Sequence, residues 1–482
     1  MNTFSKIFFF LIFFSIILFP QNTTDDFGGL FIKAINSNSE PEQKEIISNI
    51  FSQSAIDKIG LERLVGLVGQ LHTNYSPLEY HHSETLSFNK PEGASYIMHI
   101  YAKHPGAIMW NDFQMRLDPE PPHKFKTIGF IAEVSEPVTL PNGSIENKET
   151  LEWLSNYLKQ LKSEYDLYGS ILIAKGDNIL LEKYYGYEDV GKKIPITNKT
   201  LFNVASGGKM FTALCIAKLV EENKLKYDDK ITKYLSGFSD QTKAEKITIH
   251  NLLSHTSGIA EYWTDENDKA VYSATNINDY LKLVYKSGFD FDAGTKYQYC
   301  NSNYILLGAI IEKVTGKSFY NFVQETIFNP AGMNSSRYNN HASPNTAMPL
   351  TRGTNGADWI EAEHGIKGSS AGGAYSNVED ILKFSDALKN DKIISQKSLV
   401  KMIAPKNNAV KEAMDFEYGY GFILSKSAQE ISYGHGGTAQ GVNFEFRYFP
   451  RTDVTFVVFC NQNNGAYDDL KENTVKLITG ER

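Results

Sequence analysis

The chain of 482 residues is too long for one ordinary hydrophobic core, and its length indicates two or three domains. Hydrophobic residues make up 41% and aromatic residues 13% of a well-mixed sequence, which excludes a fibrous or disordered protein. A net charge of −8 without a basic run excludes a nucleic acid as the expected partner. The three cysteines lie far apart and form no Cys-x-x-Cys or Cys/His cluster, so we expect no metal site and no cofactor.

Residues 1–21 are typical of a secretory signal peptide. Lys6 ends a short lead, and the mostly apolar residues 7–19 follow before Pro20. As a helix, residues 7–19 would span about 20 Å, which is short of the ~30 Å hydrocarbon core of a bilayer. We therefore expect an exported protein, periplasmic or secreted. Because the segment lacks an Ala-x-Ala cleavage signal, an uncleaved membrane anchor stays open as the alternative.

Residues 22–140 predict a small α+β domain. Apolar residues recur at helical spacing from about residue 25 to 74, and short strand-like runs separated by turn residues follow to about 132. Helices followed by a small antiparallel sheet are typical of an α+β domain. The segment resembles the small cone-shaped domain of the nuclear-transport-factor type. It contains no catalytic motif, and a linker with two prolines and an Asn-Gly turn is predicted at 136–144.

Residues 147–482 predict a second, larger domain. After an amphipathic helix, two strands at 169–175 and 178–185 form a hairpin, and strand patterns return only at 444–449 and 454–460. The long stretch between them is mainly helical. This order predicts an α/β (α+β) fold in which both ends of the domain build one antiparallel sheet, flanked by helices, with an inserted helical lobe. The cleft between sheet and lobe is then the expected active site.

The sequence Ala-Ser-Gly-Gly-Lys at 205–209 opens a long apolar helix and carries the first chemical signal. Residues three apart share a helix face, so Lys209 can reach the hydroxyl of Ser206. A lysine kept neutral by burial and nearby cations can remove the serine proton and create a nucleophile. Gly207 and Gly208 inside a helix each cost about 1 kcal/mol relative to alanine, which indicates a close backbone approach. An N-cap serine followed by a solvated lysine is the plainer alternative.

Two further motifs follow in order, Tyr-Cys-Asn at 299–301 and His-Gly-Gly at 435–437. With the Ser-x-x-Lys motif they make residues from about 150 to 482 resemble the serine β-lactamase-like family. That family includes class C β-lactamases, D-Ala-D-Ala carboxypeptidases and related esterases. The resemblance implies a serine hydrolase that acts through an acyl-enzyme on esters or D-amino-acid-containing peptides, with a small-molecule ester or peptide as its partner.

The resemblance also assigns roles to the first two motifs. Ser206 is the nucleophile and Lys209 is its base. Tyr299 passes a proton to the leaving group and later helps to activate water. Asn301 offers its amide to the nucleophile and to the substrate carbonyl. His255, in a Ser-His-Thr-Ser-Gly segment, belongs in the family to a structural turn and not to the catalytic machinery.

The third motif implies substrate binding by His435 and Gly437, and an oxyanion hole formed by the N–H groups of Ser206 and Thr438. β-Lactamases of the family usually have a lysine where His435 stands, and its charge can pair with the β-lactam carboxylate. Histidine has a reference pKa of about 6.5, so it would be mostly neutral at pH 7. We therefore expect β-lactams to be slow substrates or acylating inhibitors, and activity on anionic substrates to rise as His435 is protonated.

Two other hypotheses deserve comparison with this one. A non-catalytic sensor could keep the fold and bind a cell-wall peptide or β-lactam. Alternatively, the sequence Gly-Ser-Ser-Ala-Gly at 368–372 fits the nucleophile elbow of α/β-hydrolases, with Ser370 as nucleophile and His435 downstream. The elbow requires a hydrophobic strand before it, whereas residues 359–367 are polar and irregular. A tight loop of small residues beside the cleft is therefore favoured over the elbow.

Overall fold

The computed structural model describes residues 24–90, 93–105, 107, 109–136, 138–338, 344–352, 359–362, 368–406, 417–426, 431–463 and 465–481. The chain divides into two units, with the boundary between Pro137 and Val138. This boundary falls inside the segment 136–144, where the sequence predicts a linker. The predicted signal peptide, residues 1–21, lies outside the described residues. Within the described ranges, no helix combines the length and apolar character needed to cross a membrane.

The first unit contains four helices followed by a four-stranded antiparallel sheet. The helices are α1 (Thr24–Asn36), α2 (Glu40–Ile50), α3 (Gln53–Ile59) and α4 (Leu61–Tyr75). The strands pair in chain order and are β1 (Glu79–Lys90), β2 (Gly93–Lys103), β3 (Trp110–Leu117) and β4 (Phe125–Val134). Ser39 and Ser52 cap α2 and α3 by accepting hydrogen bonds from backbone N–H groups of the first turn. Alternate residues of the central strands, such as Met98 and Phe113, are fully buried against the helices.

The second unit begins with a helix and a hairpin. Its first elements are α5 (Lys148–Tyr165), β5 (Gly169–Lys175), β6 (Asn178–Tyr185) and the short strands β7 (Tyr187–Asp189), β8 (Ile194–Pro195) and β9 (Phe202–Asn203). The Asn147 side chain accepts a hydrogen bond from the Glu149 N–H and caps α5. Asp166, in the left-handed conformation, ends that helix.

A helical lobe separates this hairpin from the strands at the end of the chain. Its helices are α6 (Gly208–Glu221), α7 (Gln241–Ala244), α8 (Ile249–Leu253), α9 (Asp268–Ser273), α10 (Ile277–Ser287), α11 (Asn301–Thr315), α12 (Phe319–Val323), α13 (Asn329–Ala331), α14 (Val378–Lys389) and α15 (Gln396–Met402). Between α13 and α14 lie the short strands β10 (Leu350–Arg352), β11 (Trp359–Glu361) and β12 (Tyr375–Ser376). Helices α6 and α11 pack against each other, and most residues of both are buried.

The second unit is built around a seven-stranded sheet drawn from both ends of the domain. Its later strands are β13 (Glu417–Tyr418), β14 (Ile423–Lys426), β15 (Ile431–Ala439), β16 (Val442–Phe449) and β17 (Val454–Cys460), and α16 (Gly465–Thr479) follows. The strand order is β13-β14-β15-β16-β17-β5-β6, and every pair is antiparallel. The predicted fold class, with one antiparallel sheet, flanking helices and an inserted helical lobe, is confirmed.

Candidate active site

Ser206 lies in a 3₁₀ turn, Ala205–Gly207, that immediately precedes α6. The sequence predicted that residues 205–209 open the helix; in the structure Ala205–Gly207 form one 3₁₀ turn that continues into the α-helix at Gly208. The preceding residue, Ala205, has φ of +42°, a conformation that is strained for a residue with a side chain. The turn places the Ser206 hydroxyl beside Lys209 in the first turn of α6, with Lys209 Nζ 3.1 Å from Ser206 Oγ.

The amine of Lys209 contacts three oxygens in a buried site. Besides Ser206, it donates hydrogen bonds to Asn301 Oδ1 and to the carbonyl oxygen of Ala371, each at 2.7 Å. The Lys209 side chain is completely buried, and this burial lowers its pKa to about 7. The sequence predicted burial and nearby cations as the cause. Burial does lower the pKa of Lys209, whereas the carboxylate of Glu261 raises it.

Glycines allow neighbouring segments to approach the Ser206 turn closely. The sequence predicted such an approach at Gly207 and Gly208, and the structure adds Gly437. A Cβ on Gly207 would lie 2.3 Å from the ring of Phe444, so β16 touches the turn there. A Cβ on Gly437 would lie 2.6 Å from the backbone nitrogen of Ser206. Only glycine therefore lets β15 run directly beside the proposed nucleophile, which brings Thr438 next to it.

Tyr299 and Asn301 flank the N-terminus of α11. Lys209 Nζ lies 4.8 Å from the centroid of the Tyr299 ring. Burial raises the pKa of Tyr299 above its usual value, and a hydrogen bond with Ser206 opposes this shift, so the phenol is protonated at neutral pH. Tyr299 nevertheless keeps 37% of its surface exposed. A protonated phenol in contact with Ser206 can donate its proton to a leaving group.

His435 lies on β15 and is almost completely buried. Its Nε2 lies 3.0 Å from the hydroxyl of Tyr418, and its Nδ1 is hydrogen-bonded to the carbonyl oxygen of Gly436. Since a carbonyl can only accept, Nδ1 carries the proton and Nε2 accepts from Tyr418. Burial, reinforced by the charge of Lys209, lowers the pKa of His435 to about 3. The expectation that His435 titrates near neutral pH is therefore wrong, because its buried ring cannot keep a second proton.

A cavity of about 430 Å³ adjoins Ser206. Ser206 and Thr438 both line it, and these are the positions that the resemblance assigned to the oxyanion hole. Asn301 also lines it, as do Ser369, Ala371, Gly372 and Gly373 of the loop before β12. The small residues of this loop therefore lie beside the cleft, as the sequence favoured.

Ser370 does not occupy a nucleophile elbow. Ser370 is fully buried, and its hydroxyl packs against Gly308 of α11. A Cβ on Gly308 would lie only 2.2 Å from Ser370 Oγ. Its carbonyl oxygen accepts a hydrogen bond from the hydroxyl of Thr212. The seven-stranded sheet is antiparallel, whereas the α/β-hydrolase fold requires a parallel one. The hypothesis of an α/β-hydrolase using Ser370 is wrong.

Two further residues support the site: Glu261, which has no signal in the sequence, and His255, which the resemblance assigned to a structural turn. Glu261 accepts the backbone N–H of Asn301 at 2.7 Å and that of Trp263 at 3.1 Å, so its carboxylate caps α11. His255 is fully buried and accepts the N–H of Cys300 through Nδ1 at 3.1 Å. Its ring centroid lies 4.4 Å from that of Tyr299, and burial lowers the pKa of His255 well below its usual value. A neutral imidazole thus supports the turn that carries Tyr299.

A sequence model of the β-lactamase family matches residues 154–481, which is more than half of the chain. The chain belongs to the serine β-lactamase-like family. It is 33% identical over 297 residues to a penicillin-binding protein of Bacillus subtilis strain 168, in an alignment that covers 58% of this chain and 64% of that relative's own length. The family explains why the three motifs lie close together around Ser206.

Solved structures of this family have the same fold. A penicillin-binding protein from Bacillus halodurans is 30% identical, with a TM-score of 0.59 over 65% of this chain and 97% of that one. A D-amino acid amidase from Ochrobactrum anthropi shares the fold at 22% identity, with a TM-score of 0.58 over 68% of this chain and 99% of that one. Proteins with this fold include that amidase and EstCE1, a hydrolase with promiscuous acyltransferase activity.

Replacing Glu261 by Gln tests how the charge beside this serine β-lactamase-like site affects Lys209. The Glu261→Gln change removes the carboxylate that raises the pKa of Lys209 and keeps one oxygen for the Asn301 N–H. We expect the ascending limb of the pH profile of kcat/KM, which reports loss of the Lys209 proton, to move to lower pH. Hydrolysis of a p-nitrophenyl ester from pH 5 to 9 measures it. Glu222→Gln, which removes an exposed charge at the end of α6, is the control and should leave the ascending limb at its wild-type pH. If the ascending limb lies at the same pH in both variants, Glu261 does not act on the pKa of Lys209.

Proposed function

We propose that this protein is an exported serine hydrolase that forms an acyl-enzyme at Ser206 and acts on uncharged esters or D-amino-acid-containing peptides. The observation that carries the proposal is the contact between the hydroxyl of Ser206 and the buried amine of Lys209. The similarity to penicillin-binding proteins and the shared fold of a D-amino acid amidase support the peptide alternative. Export rests on the sequence of residues 1–21, and a membrane is involved only if that segment stays uncleaved.

In the acylation step, Lys209, the oxyanion hole and Tyr299 act one after another. Neutral Lys209 takes the proton of Ser206 as Ser206 Oγ attacks the substrate carbonyl carbon. The backbone N–H groups of Ser206 and Thr438 stabilise the oxyanion, at about 3–4 kcal/mol for each donor. Tyr299 then donates its proton to the leaving group as the bond to the carbonyl carbon breaks, and it regains a proton from Lys209.

Deacylation repeats these steps with water in place of the serine. Tyr299 and Lys209 remove a proton from the water as its oxygen attacks the acyl carbon, and the proton returns to Ser206 Oγ when the acid is released. The ester bond to Ser206 breaks in this step, so the enzyme is regenerated without a cofactor. The same groups therefore serve both halves of the cycle.

The neutral state of His435 favours uncharged substrates. A permanent cation at this position would attract the carboxylate of a β-lactam or of a free peptide C-terminus. His435 instead has its two ring nitrogens engaged by Tyr418 and Gly436, and it lies outside the set of described residues that line the cavity. Esters and amides without a nearby carboxylate are then the better substrates.

Covalent labelling tests the nucleophile. A fluorophosphonate and a fluorescent penicillin are each added to the purified protein, and mass spectrometry locates the adduct. We expect the adduct on Ser206, its loss in Ser206→Ala and its retention in Ser370→Ala, with kcat on a p-nitrophenyl ester reduced by several orders of magnitude in Ser206→Ala and Lys209→Met. Label on another serine refutes the mechanism, and a Ser206 adduct that never turns over with any ester or peptide identifies a sensor.

The ratio of nitrocefin to ester turnover tests the role of His435. With a pKa of about 3, His435 stays neutral between pH 5.5 and 8, so its charge cannot alter selectivity in that range. We expect kcat/KM for a p-nitrophenyl ester to exceed that for nitrocefin throughout, with a ratio that is constant with pH and unchanged in His435→Gln. A nitrocefin preference that grows as the pH falls would show a protonated His435 in contact with substrate.

A further inference from the structure

Aromatic side chains form one wall of the cavity beside Ser206. Tyr262 and Trp263 contribute from the loop before α9, Tyr272 from α9 and Tyr280 from α10. Tyr262 and Tyr280 are each 1% exposed, whereas Trp263 and Tyr272 are half-buried. The mechanism derived above does not use this wall, yet it occupies the space next to the nucleophile.

The aromatic wall is held in place by contacts among its own members. The rings of Tyr262 and Tyr280 meet edge to face at 5.9 Å, and those of Trp263 and Tyr272 at 6.0 Å. The indole N–H of Trp263 donates to Asp268 at 2.6 Å, and the backbone N–H of Tyr262 donates to the Ser302 hydroxyl at 2.9 Å. A preformed wall of this kind can bind a ligand ring without first having to be ordered.

The positions of the catalytic groups indicate which half of the substrate enters the cavity. Cleavage separates an acyl group, which stays on Ser206, from a leaving group, which takes its proton from Tyr299. Ser206 and Thr438 line the cavity, while Tyr299 lies outside its described lining and is 37% exposed. The leaving group therefore departs on the Tyr299 side toward solvent, and the acyl group points into the cavity.

The size and chemistry of the cavity then select the acyl group. A volume of about 430 Å³ falls in the range of small-molecule sites, about 300–1,000 Å³. A methyl group, as in an acetyl or alanyl substrate, would leave most of it unfilled, whereas an aryl ring could pack against the aromatic wall. The described residues that line the cavity carry no charged side chain, which suits an uncharged ring.

We infer that this cavity is the acyl pocket and that it takes acyl groups with an uncharged aromatic side chain, of the arylalkanoyl class. The inference rests on the proposed function, because it assumes that Ser206 becomes acylated. It adds a substrate class that the motifs do not specify. Trp263 and Tyr272 become the residues that determine specificity, since both line the cavity and their rings contact each other there.

A series of p-nitrophenyl esters with one leaving group tests the inference. We compare kcat/KM for acetate, butyrate and 3-phenylpropanoate, each divided by the hydroxide-catalysed rate of the same ester. We expect 3-phenylpropanoate to exceed acetate by roughly 10- to 100-fold, the effect of well-filled apolar contacts on selectivity. Trp263→Ala and Tyr272→Ala should remove most of this preference, because each should lower kcat/KM for 3-phenylpropanoate by a larger factor than kcat/KM for acetate. Ala347→Leu places a larger side chain in the cavity, so it should also reduce the preference for 3-phenylpropanoate over acetate.

Trp153→Ala provides a matched control, because Trp153 is a half-buried indole on α5 that lies outside the cavity lining. Its ester preference should equal that of the wild type, and melting temperatures verify that all variants fold. Equal losses for acetate and 3-phenylpropanoate in Trp263→Ala would put the leaving group in the cavity and overturn the inference. Acylation of Ser206 at equal rates by all three acyl groups would refute the inference about the acyl pocket alone. No acylation of Ser206 by any ester would refute the proposed function as well.

Discussion

The three hydrogen-bonding contacts of the Lys209 amine determine the organisation of the site. Asn301 Oδ1 and the Ala371 carbonyl are amide oxygens that can only accept, whereas the Ser206 hydroxyl can also donate. A neutral amine has two N–H groups and one lone pair. The two N–H groups therefore face the amide oxygens, and the lone pair faces the Ser206 hydroxyl, which of these three partners is the one with a proton to give. When Lys209 loses one proton, its amine becomes a general base whose lone pair is directed at Ser206.

This arrangement explains the surrounding architecture. Removing an ammonium from water is costly, and a pKa lowered from 10.5 to about 7 corresponds to a penalty on the charged form on the order of 5 kcal/mol. Helices α6 and α11, buried along most of their length, supply the apolar packing that offsets it. They bring Ser206, Asn301 and the loop of Ala371 together from distant parts of the chain. The strained φ of Ala205 and the close approach of Gly437 to Ser206 follow from the need to hold Ser206 beside the buried amine of Lys209.

The sequence predicted strands β5, β6, β16 and β17, the helical lobe and the order of the three motifs, because apolar periodicity and motif order are local properties. Its strand patterns did not reveal β13, β14 and β15, which complete the seven-stranded sheet. It could not predict that Ser206 sits in a 3₁₀ turn, since the positive φ of Ala205 depends on packing against the loop at Gly372. It gave His435 a titration near neutral pH, because only the fold buries the ring and brings Lys209 near it, and both lower its pKa. The cap by Glu261 was missed for the same reason, as it joins segments 40 residues apart.

The titration of the Lys209 amine tests the account most directly. Lysines are labelled with ¹⁵N at Nζ, and the resonance of Lys209 is identified by its absence from the spectrum of Lys209→Met. The account predicts a midpoint at about pH 7 for this resonance in the folded protein, because burial lowers the pKa of Lys209. A midpoint near 10.5, the ordinary value for lysine, would mean that Lys209 is charged at neutral pH and cannot take the proton of Ser206.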